Sequence, residues 1–478
     1  MKILEELVPF WKDKRSSVLA AILTSHCVAA RMRFLMNLKK HMKIDIYGRC
    51  ADDPYQVSRI YSHRLQNLIK ILILLGNRKL KLSTVYYRKR FSLCLRQRRN
   101  TSDWVTSNLG TYLFKNGIQL NNTAWNQSLH RVYDVLIWKH WKWLRRRHLG
   151  GFIEHDSNPL YGCSVSNCRF SGDTDISSAD AVVIHIQKGL LPEVVRKPHQ
   201  IWIFWVDESP KHTFSLSTNP PSYVELSNIF NWIMTYRTDA DIPIPYGRTV
   251  ALLHPKTHYL RLDNNDHNLT NKILEELVPF WKDKQRNVLA AILTSNCIKD
   301  RMLFLTDLKK HMKIDIYGRC ADEVSQRDVC PGHYHDECKI LSRYMFYLVI
   351  ENSKCRQYIT EKSFHHAYGK GAIPVFVGPF LEDCIMLLPP NSFLHIDDFM
   401  TPEHLAEEIV AISRNVTKLL SYHAWRNHFK VINEHGYFGT MSTQMCRICE
   451  ALNYNEKTQK LYGASDIRRF LDPEIHCD

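Results

Sequence analysis

The chain of 478 residues has no apolar run long enough to cross a membrane. Its best candidate, residues 68–75 (LIKILILL), is short and contains Lys70, so we expect no transmembrane helix in the chain as given. We also expect no secretory signal at the start of the sequence as given, because Glu5 and Glu6 occupy positions where an apolar stretch should begin. The 14 cysteines are too dilute over 478 residues for a small disulfide scaffold.

Several nucleotide- and metal-binding motifs are missing too. No G-x-G-x-x-G or P-loop lysine motif follows a strand pattern, so dinucleotide- and ATP-binding interpretations lose their main sequence support. The 24 histidines show neither an HExxH motif nor zinc-ligand spacing. Asp397 and Asp398 are adjacent carboxylates, but a solvated turn produces the same string more often than a metal site does.

The chain contains enough apolar residues for a large core, at 45% hydrophobic. Its net charge of +16 comes from one segment, because residues 54–150 hold 19 Lys/Arg and only 2 Asp/Glu. We interpret residues 54–130 as a basic, poorly assigned segment; the alternative is a tail that binds phosphate backbones or acidic membranes. No nucleic-acid-binding module with recognisable spacing accompanies it, so we predict no nucleic-acid partner.

The chain repeats itself once. Residues 2–52 match residues 272–322 at 41 of 51 positions, with a constant offset of 270. Two copies are too few for a solenoid, and their similarity is too high for an old structural repeat. Residues 1–53 are therefore interpreted as a duplicated fragment of a later domain, produced by a recent exon duplication or a faulty gene assembly.

From residue 131 onward, short apolar runs alternate with helical patterns, which is typical of α/β units with parallel sheets. We predict strands at 132–138, 179–186, 198–206, 313–318, 346–351 and 372–378, and helices at 301–312, 360–370 and 403–413. The polar, turn-rich residues 263–271 (DNNDHNLTN) predict a linker between two halves.

The most informative string is FYLVIENSKCRQYITEKSFHHAYGKGAIPVFVGP at 346–379. It predicts a strand that ends at Glu351, a loop, and a helix for which Thr360 is a candidate N-cap. A helix N-terminus favours anions, Lys362 adds positive charge, and Glu361 offers an acceptor for sugar hydroxyls. The strand that follows completes a strand–helix–strand unit of the kind that binds phosphates at its strand ends. The alternative is a capped helix with a Glu/Lys surface pair.

This string resembles the donor-site signature of the alpha-1,3-fucosyltransferase family, FYL-x-x-ENS…DYITEK…A-x-PVV-x-G. Further motifs match in the family's order: SADAVVIHI (178–186), IWIFWVDESPKH (201–212), FNWIMTYRTDADIPIPYG (230–247), RMLFLTDLKKHMKIDIYGRC (301–320), LPPNSFLHIDDFMTPEHLAEEI (388–409), SYHAWR (421–426) and CRIC (446–449). The resemblance is collinear over about 320 residues, and residues 1–130 lie outside it apart from the repeated fragment.

The resemblance implies an α/β fold of two Rossmann-like domains facing across a cleft (GT-B type), here with an atypical N-terminal extension. The predicted units are an acceptor-side domain at 131–265, a GDP-fucose-binding domain at 272–455 and a tail at 456–478. The implied reaction moves L-fucose from GDP-fucose to a glycan hydroxyl, with inversion. The implied product is an α1,3 linkage to N-acetylglucosamine on a glycoprotein or glycolipid.

The resemblance also implies roles for individual residues. Glu208 corresponds to the general base, on a turn fixed by Pro210 after a strand, with Asp207 as its possible competitor. The residues carried over as donor contacts are Arg301, Asn352, Tyr358, Glu361 and Lys362. Arg301 and Lys362 are the expected diphosphate contacts, since cationic donors stabilise departing phosphate charge. Glu351 is expected either to hold the loop or to contact ligand.

In this family, cationic side chains replace a metal, so the resemblance implies no required cofactor or metal, with Mn²⁺ as a non-essential stimulant. The expected partners are GDP-fucose and a glycan acceptor. The resemblance implies disulfides that cross-pair Cys163 and Cys168 with Cys446 and Cys449, without deciding which pairs with which. It also implies a lumenal enzyme of the Golgi membrane, although the family's anchor helix is absent from this sequence. Sequons at Asn268 and Asn415 are the glycosylation candidates; three more occur at Asn100, Asn121 and Asn126.

Three alternatives stay open at this point. One is a relative that fucosylates protein hydroxyls, or a different glycan. Another is a catalytically inactive homologue that still binds donor. The third is a basic nucleic-acid-binding protein led by residues 54–150.

Overall fold

The structure, a computed structural model, describes residues 20–23, 44–47, 106–114, 131–256, 267–457 and 460–478. Most of the predicted segments 1–53 and 54–130 therefore lies outside the described residues. In the part of the chain that is described, no helix combines the length and the apolar character needed to span a bilayer.

Within residues 1–89, which form a unit of their own, two strands are described. These are β1 (Ala20–Leu23) and β2 (Ile44–Tyr47), which pair in parallel with Ala20 opposite Ile44. The second copy of the repeat forms the same pair in the same register, with Ala290 opposite Ile314. The 51-residue repeat thus carries its own strand pairing.

The rest of the described chain contains two parallel sheets. The N-sheet consists of β3 (Tyr133–Ile137), β4 (Cys168–Ser171), β5 (Ala181–His185), β6 (Ile201–Trp205), β7 (Trp232–Thr235) and β8 (Ile242–Pro243), in the order β4-β3-β5-β6-β7-β8. The C-sheet consists of β10 (Ala290–Leu293), β11 (Ile314–Tyr317), β12 (Phe346–Ile350), β13 (Ile373–Val377) and β14 (Leu394–His395), in the order β11-β10-β12-β13-β14. A short antiparallel pair, β9 (Gly247–Ala251) with β15 (Phe429–Asn433), joins the two halves. The predicted α/β class with parallel sheets is confirmed.

Helices cover both sheets. The α-helices are α1 (Asn108–Phe114), α2 (Trp141–Gly150), α3 (His267–Leu277), α4 (Lys299–Leu308), α5 (Leu381–Leu387), α6 (Pro402–Arg414), α7 (Val416–His423), α8 (Gln444–Tyr454), α9 (Ala464–Leu471) and α10 (Pro473–His476). Successive strand residues face opposite sides, so Val182 and Ile184 enter one core while Ala181 and Val183 enter the other. Each sheet is buried on both faces, which explains why its strands are nearly continuous apolar runs.

Both sheets have a topological switch point, where the chain reverses its direction of growth across the sheet. In the C-sheet it lies between β10 and β12. Open α/β sheets bind ligands in the crevice outside the carboxyl ends of the strands at such a point. We therefore expect ligand-binding residues directly after Leu293 and Ile350, the last residues of β10 and β12.

Two predicted boundaries before the C-sheet differ from the packing. Residues 54–130 were predicted as poorly assigned, yet α1 buries Leu109 and Leu113 in the N-sheet core, and Leu109 N donates to Asn455 Oδ1 at 2.9 Å. The predicted linker 263–271 overlaps α3, which begins at His267. Short helices in polar or basic segments show only a weak apolar periodicity, because contacts with the rest of the fold, rather than the local sequence, stabilise them.

The C-terminal boundaries differ for a related reason. The predicted second domain, 272–455, contains α8, but Met445, Ile448 and Leu452 of that helix pack in the N-sheet core. The predicted tail, 456–478, contains α9, whose Ile467 and Leu471 are buried under the other face of the N-sheet. The chain thus returns to its first half after completing the C-sheet.

Two disulfides hold α8 against the first half of the chain. Cys163 bonds to Cys446 and Cys168 to Cys449, which is the cross-pairing that the resemblance implies. The sequence reasoning missed three more described disulfides: Cys297–Cys320, Cys330–Cys338 and Cys355–Cys477. One buried cysteine, Cys384, is a free thiol.

Candidate active site

Glu208 lies at the junction of the two halves. It follows the carboxyl end of β6 and precedes a 3₁₀ turn that begins at Pro210. Its Oε2 accepts hydrogen bonds from the Tyr358 hydroxyl at 2.9 Å and from Asn352 Nδ2 at 3.3 Å. Tyr358 and Asn352 belong to the loop after β12, so the predicted base and two predicted donor contacts converge from opposite sheets.

The surroundings of Glu208 hold its pKa above the ordinary value for a glutamate. Burial is the main cause, and the negative charge of Asp207 adds to it. The hydrogen bonds from Tyr358 and Asn352 and the charge of Lys362 oppose the rise without cancelling it. A raised pKa brings this carboxylate closer to the range in which it can accept a proton at working pH.

Asp207, the possible competitor, is committed elsewhere. Its carboxylate is only 7% exposed and forms a buried ion pair with Arg147, and Gln444 Nε2 lies 3.4 Å away. Burial alone would raise the pKa of Asp207, but Arg147 lowers it well below the ordinary range on balance. Asp207 is therefore a fixed negative charge behind Glu208.

A network around Arg147 holds this charge in place. Arg147 Nε donates to the His435 carbonyl at 3.0 Å, and its guanidinium lies 4.4 Å from the ring centre of Tyr437. The Tyr246 hydroxyl donates to the Asp207 carbonyl at 3.0 Å. Sequence reasoning missed this network, because Arg147 ends the run Arg145–Arg147 and was counted as part of the basic segment.

Lys362 is held between two carboxylates. Its Nζ lies 3.0 Å from Glu351 Oε2 and 3.1 Å from Glu361 Oε1, and it donates to Thr360 Oγ1 at 3.0 Å. Burial alone would lower the pKa of Lys362, but the two carboxylates raise it well above its ordinary value. Burial would likewise raise the pKa of Glu361, and Lys362 lowers it on balance. Both shifts favour the charged forms of Lys362 and Glu361.

Thr360 does not cap a helix as predicted. Its hydroxyl donates to the buried Glu351 carboxylate, which also accepts from Thr360 N at 2.9 Å. The helix predicted at 360–370 is a six-residue π-helix (Lys362–Ala367) followed by a 3₁₀ turn (Tyr368–Lys370). Glu351 thus holds the loop, which was one of the two roles expected for it. A π-helical turn often marks a functional site.

Arg301 occupies the switch point of the C-sheet. Its Nη1 donates to Thr294 Oγ1 at 3.0 Å and to the Asn296 carbonyl at 2.6 Å, and its Nη2 donates to the Glu351 carbonyl at 2.9 Å. These partners lie within three residues of the ends of β10 and β12. Arg301 is 5% exposed, and its Nε is buried with no hydrogen-bond partner among the described residues. Burial lowers the pKa of this guanidinium, and Glu351 partly opposes the effect.

The remaining predicted sites are placed as follows. Asn415 is exposed and caps α7, with its Oδ1 accepting from Lys418 N at 2.9 Å. The side chain of Asn268 lies outside the described residues. Within the described ranges, His, Cys, Asp and Glu form no group of three or more that could hold a metal ion.

Two family models match this chain in sequence order. Residues 131–247 match the model for the N-terminal part of fucosyltransferases, and residues 281–469 match that for the C-terminal part of glycosyltransferase family 10 (fucosyltransferase).

Individual relatives agree with the family models. Mouse alpha-(1,3)-fucosyltransferase 7 is 30% identical over 68% of this chain and 73% of its own length. Glycoprotein 3-alpha-L-fucosyltransferase A of Drosophila melanogaster is 28% identical over 64% of this chain and 54% of its own length. A crystal structure of an alpha1,3-fucosyltransferase with GDP-fucose is 15% identical, with a TM-score of 0.42, and the match covers 73% of this chain and 98% of that one. The chain belongs to glycosyltransferase family 10, the fucosyltransferases.

Proposed function

We propose that this enzyme transfers L-fucose from GDP-fucose to N-acetylglucosamine of a glycoprotein or glycolipid glycan, forming an α1,3 linkage with inversion. The convergence of Glu208 with Tyr358 and Asn352 from the opposite sheet carries the proposal. A base on one wall and donor contacts on the other suit a single displacement between two bound substrates. The family membership supports the donor and the linkage.

In the proposed reaction, Glu208 accepts the proton of the acceptor hydroxyl while that oxygen attacks the anomeric carbon of fucose. The bond from that carbon to the GDP β-phosphate oxygen breaks, and its electron pair leaves with GDP. Inversion follows because attack and departure occur on opposite faces. The fixed charge of Asp207 behind Glu208 strengthens the base by raising its pKa.

The diphosphate would bind at the switch point of the C-sheet. Arg301 supports this, because its Nε is a buried donor without a partner in the described chain. Lys362 supports it too, because its ammonium is permanently charged and part-exposed, at 22%. To contact phosphate, Lys362 has to exchange one of its two carboxylate partners for a phosphate oxygen.

The acceptor would lie along the carboxyl ends of β3, β5 and β6. Trp143 exposes 46% of its surface there and meets the His185 ring edge-on at 5.8 Å between ring centres. An exposed indole offers an apolar face to a sugar ring. This surface belongs to the same edge of the N-sheet as Glu208.

We also propose that the enzyme works in the lumen of the Golgi apparatus, by resemblance to its family. Five described disulfides support an oxidising compartment. The exposed sequon at Asn415 is consistent with passage through a glycosylating compartment.

The function is tested by measuring fucose transfer from GDP-fucose to three acceptors: a LacNAc glycan, a chitobiose-core glycan and a peptide. The full chain is made in a secretory host, because truncation at residue 131 would remove α1 from the N-sheet core. We expect transfer to a glycan acceptor. Transfer to the peptide alone would establish a protein O-fucosyltransferase instead, and GDP binding without any transfer would establish an inactive homologue.

The diphosphate roles predict weaker GDP binding in Lys362→Ala and in Arg301→Ala. Each change removes a charged hydrogen-bond donor worth about 1.5–3 kcal/mol, so the affinity should fall about 10- to 100-fold by calorimetric titration. Lys310→Ala is the matched control, because the Lys310 side chain is 66% exposed and pairs with the surface residue Asp307. Unchanged GDP affinity in both site variants would refute the diphosphate roles.

A further inference from the structure

Residues 472–478, called the C-terminal clasp below, contact the loop that carries the donor residues. This donor loop spans residues 351–361, between β12 and the π-helix. Cys477 of the clasp is bonded to Cys355 of the donor loop. Two backbone hydrogen bonds flank the disulfide, from Arg356 N to the His476 carbonyl at 2.8 Å and from Asp478 N to the Lys354 carbonyl at 2.9 Å. The clasp therefore pairs with the donor loop as a short antiparallel segment.

The other end of the clasp is anchored in the N-sheet half. It continues from α9, whose Ile467 and Leu471 are buried beneath β5 and β6. The clasp residue His476 accepts from Arg237 Nη1 at 2.8 Å, and Arg237 follows β7. Burial and the charge of Arg237 lower the pKa of His476, which keeps its ring neutral and able to accept.

The clasp also contacts the turn that carries Glu208. The 3₁₀ turn Pro210–His212 begins two residues after Glu208, and Lys211 Nζ donates to the backbone oxygen of Asp478. On the opposite wall, Lys354 Nζ lies 2.6 Å from Asp478 Oδ2. One residue of the clasp is therefore bound by a lysine from each wall of the site.

Hydrogen bonds between neutral groups also join the walls, beside the two that Glu208 accepts from Tyr358 and Asn352. The Ser353 hydroxyl donates to Ser209 Oγ at 2.5 Å, and Gln357 Oε1 accepts from Thr238 N at 2.9 Å. Such bonds exchange with water at modest net cost. Among the described disulfides, Cys355–Cys477 is the one that has a cysteine in the donor loop, and its two cysteines are 122 residues apart. It joins the donor loop covalently to the clasp, whose preceding helix α9 is packed in the N-sheet half.

We infer that the C-terminal clasp, closed by the Cys355–Cys477 disulfide, is a positioning element that sets the distance between Glu208 and the Tyr358 hydroxyl. This inference rests on the proposed function of Glu208. The clasp acts on alignment more than on donor affinity, because Arg301 and Lys362 are held by contacts within the C-sheet half. A misplacement of about 1 Å at a reacting group can lower a rate by about two orders of magnitude.

The test is the double variant Cys355→Ser/Cys477→Ser of the full chain, with Cys330→Ser/Cys338→Ser as the matched control. The control removes a disulfide that closes a short loop of the same half, with its cysteines 8 residues apart. For the clasp variant we expect kcat to fall about tenfold or more while GDP affinity stays within about twofold. For the control we expect both quantities to stay within about twofold.

A second variant keeps the inference testable if the cysteine variant fails to fold. Lys211→Met/Lys354→Met leaves the disulfide intact and removes both lysine contacts to the clasp. We expect kcat to fall severalfold at unchanged GDP affinity. Unchanged kcat in the clasp variants, or an equal fall of kcat and GDP affinity, would overturn the inference. The proposed function stands or falls separately, since it requires Glu208→Gln to be inactive whatever the clasp variants do.

Discussion

Glu208→Gln is expected to lose fucose transfer by about 10²- to 10⁴-fold, the usual contribution of a general base, while GDP affinity stays within about twofold. Glutamine keeps the shape of the side chain and an oxygen that can accept from Tyr358, but it cannot take a proton from the acceptor. Turnover at saturating substrate and calorimetric GDP binding measure the two effects. Glu225→Gln is the control, since Glu225 is exposed and bonds only to Ser222 among described residues. Retained transfer, or lost GDP binding, would contradict the assignment.

The raised pKa of Glu208 adds a pH signature to the wild-type enzyme. The base must be ionised to act, so kcat/KM should fall as the pH falls through the pKa of Glu208, which burial and Asp207 raise above the ordinary glutamate value. The sign for stability is opposite to that of a salt-bridged carboxylate. A carboxyl group that binds its proton more tightly when folded destabilises the fold at pH values above its unfolded pKa. Glu208→Gln should therefore not lower the melting temperature at neutral pH, which separates a chemical loss from misfolding.

Arg147→Met is expected to destabilise the protein by about 3–5 kcal/mol, because it leaves the Asp207 carboxylate buried and unpaired. Thermal unfolding of the full chain measures this as a lower melting temperature. Arg169→Met is the matched control: Arg169 is 71% exposed and pairs with Asp134, and such surface pairs contribute about 0–1 kcal/mol. Equal stability losses in the two variants would show that the buried pair has no special role.

The double variant Arg147→Met/Asp207→Asn separates stability from electrostatics. Removing both charges avoids an unpaired buried ion, so much of the lost stability should return. Its loss of the Asp207 charge should lower the pKa of Glu208, since Asp207 is one of the two causes that raise it. The acid limb of kcat/KM should then move to lower pH than in the wild type. An unmoved acid limb would show that Asp207 does not tune the base.

The strands of the sheets were predictable because burial on both faces requires continuous apolar runs. The limits of an apolar run such as IWIFWV indicate where the strand begins and ends, so the sequence predicts that Glu208 lies just after the end of a strand. Residues on loops after parallel strands also share one edge of a sheet, and Asn352 and Tyr358 lie there as expected. Their direct bonds to Glu208 were not predictable, because they cross between two sheets whose relative placement no local pattern encodes.

Other features depended on contacts between residues far apart in sequence. By its position in the sequence, the helix α8 belongs to the C-sheet half. Its apolar residues are nevertheless buried beside β3 and β5, which no local sequence pattern indicates. In the sequence Arg147 is one of many basic residues, and only the structure shows that it pairs with Asp207, which is 60 residues later in the chain. The disulfide Cys355–Cys477 had no spacing signal, since its cysteines are far apart. Pairings of this kind are set by the topology and not by periodicity.

The repeated strand pair has a consequence for folding. β1 and β10 have identical sequences, so both offer β12 the same side chains as a neighbour, and side-chain chemistry does not choose between them. The loop to be closed decides: it is about 50 residues from β10 and about 320 residues from β1. By the entropy of loop closure this difference favours β10 by about 1.6 kcal/mol, or about fifteenfold. During synthesis from the N-terminus, β1 emerges before β10 and competes with it for pairing with β12. The longer loop that β1 would have to close makes this competing pairing less favourable.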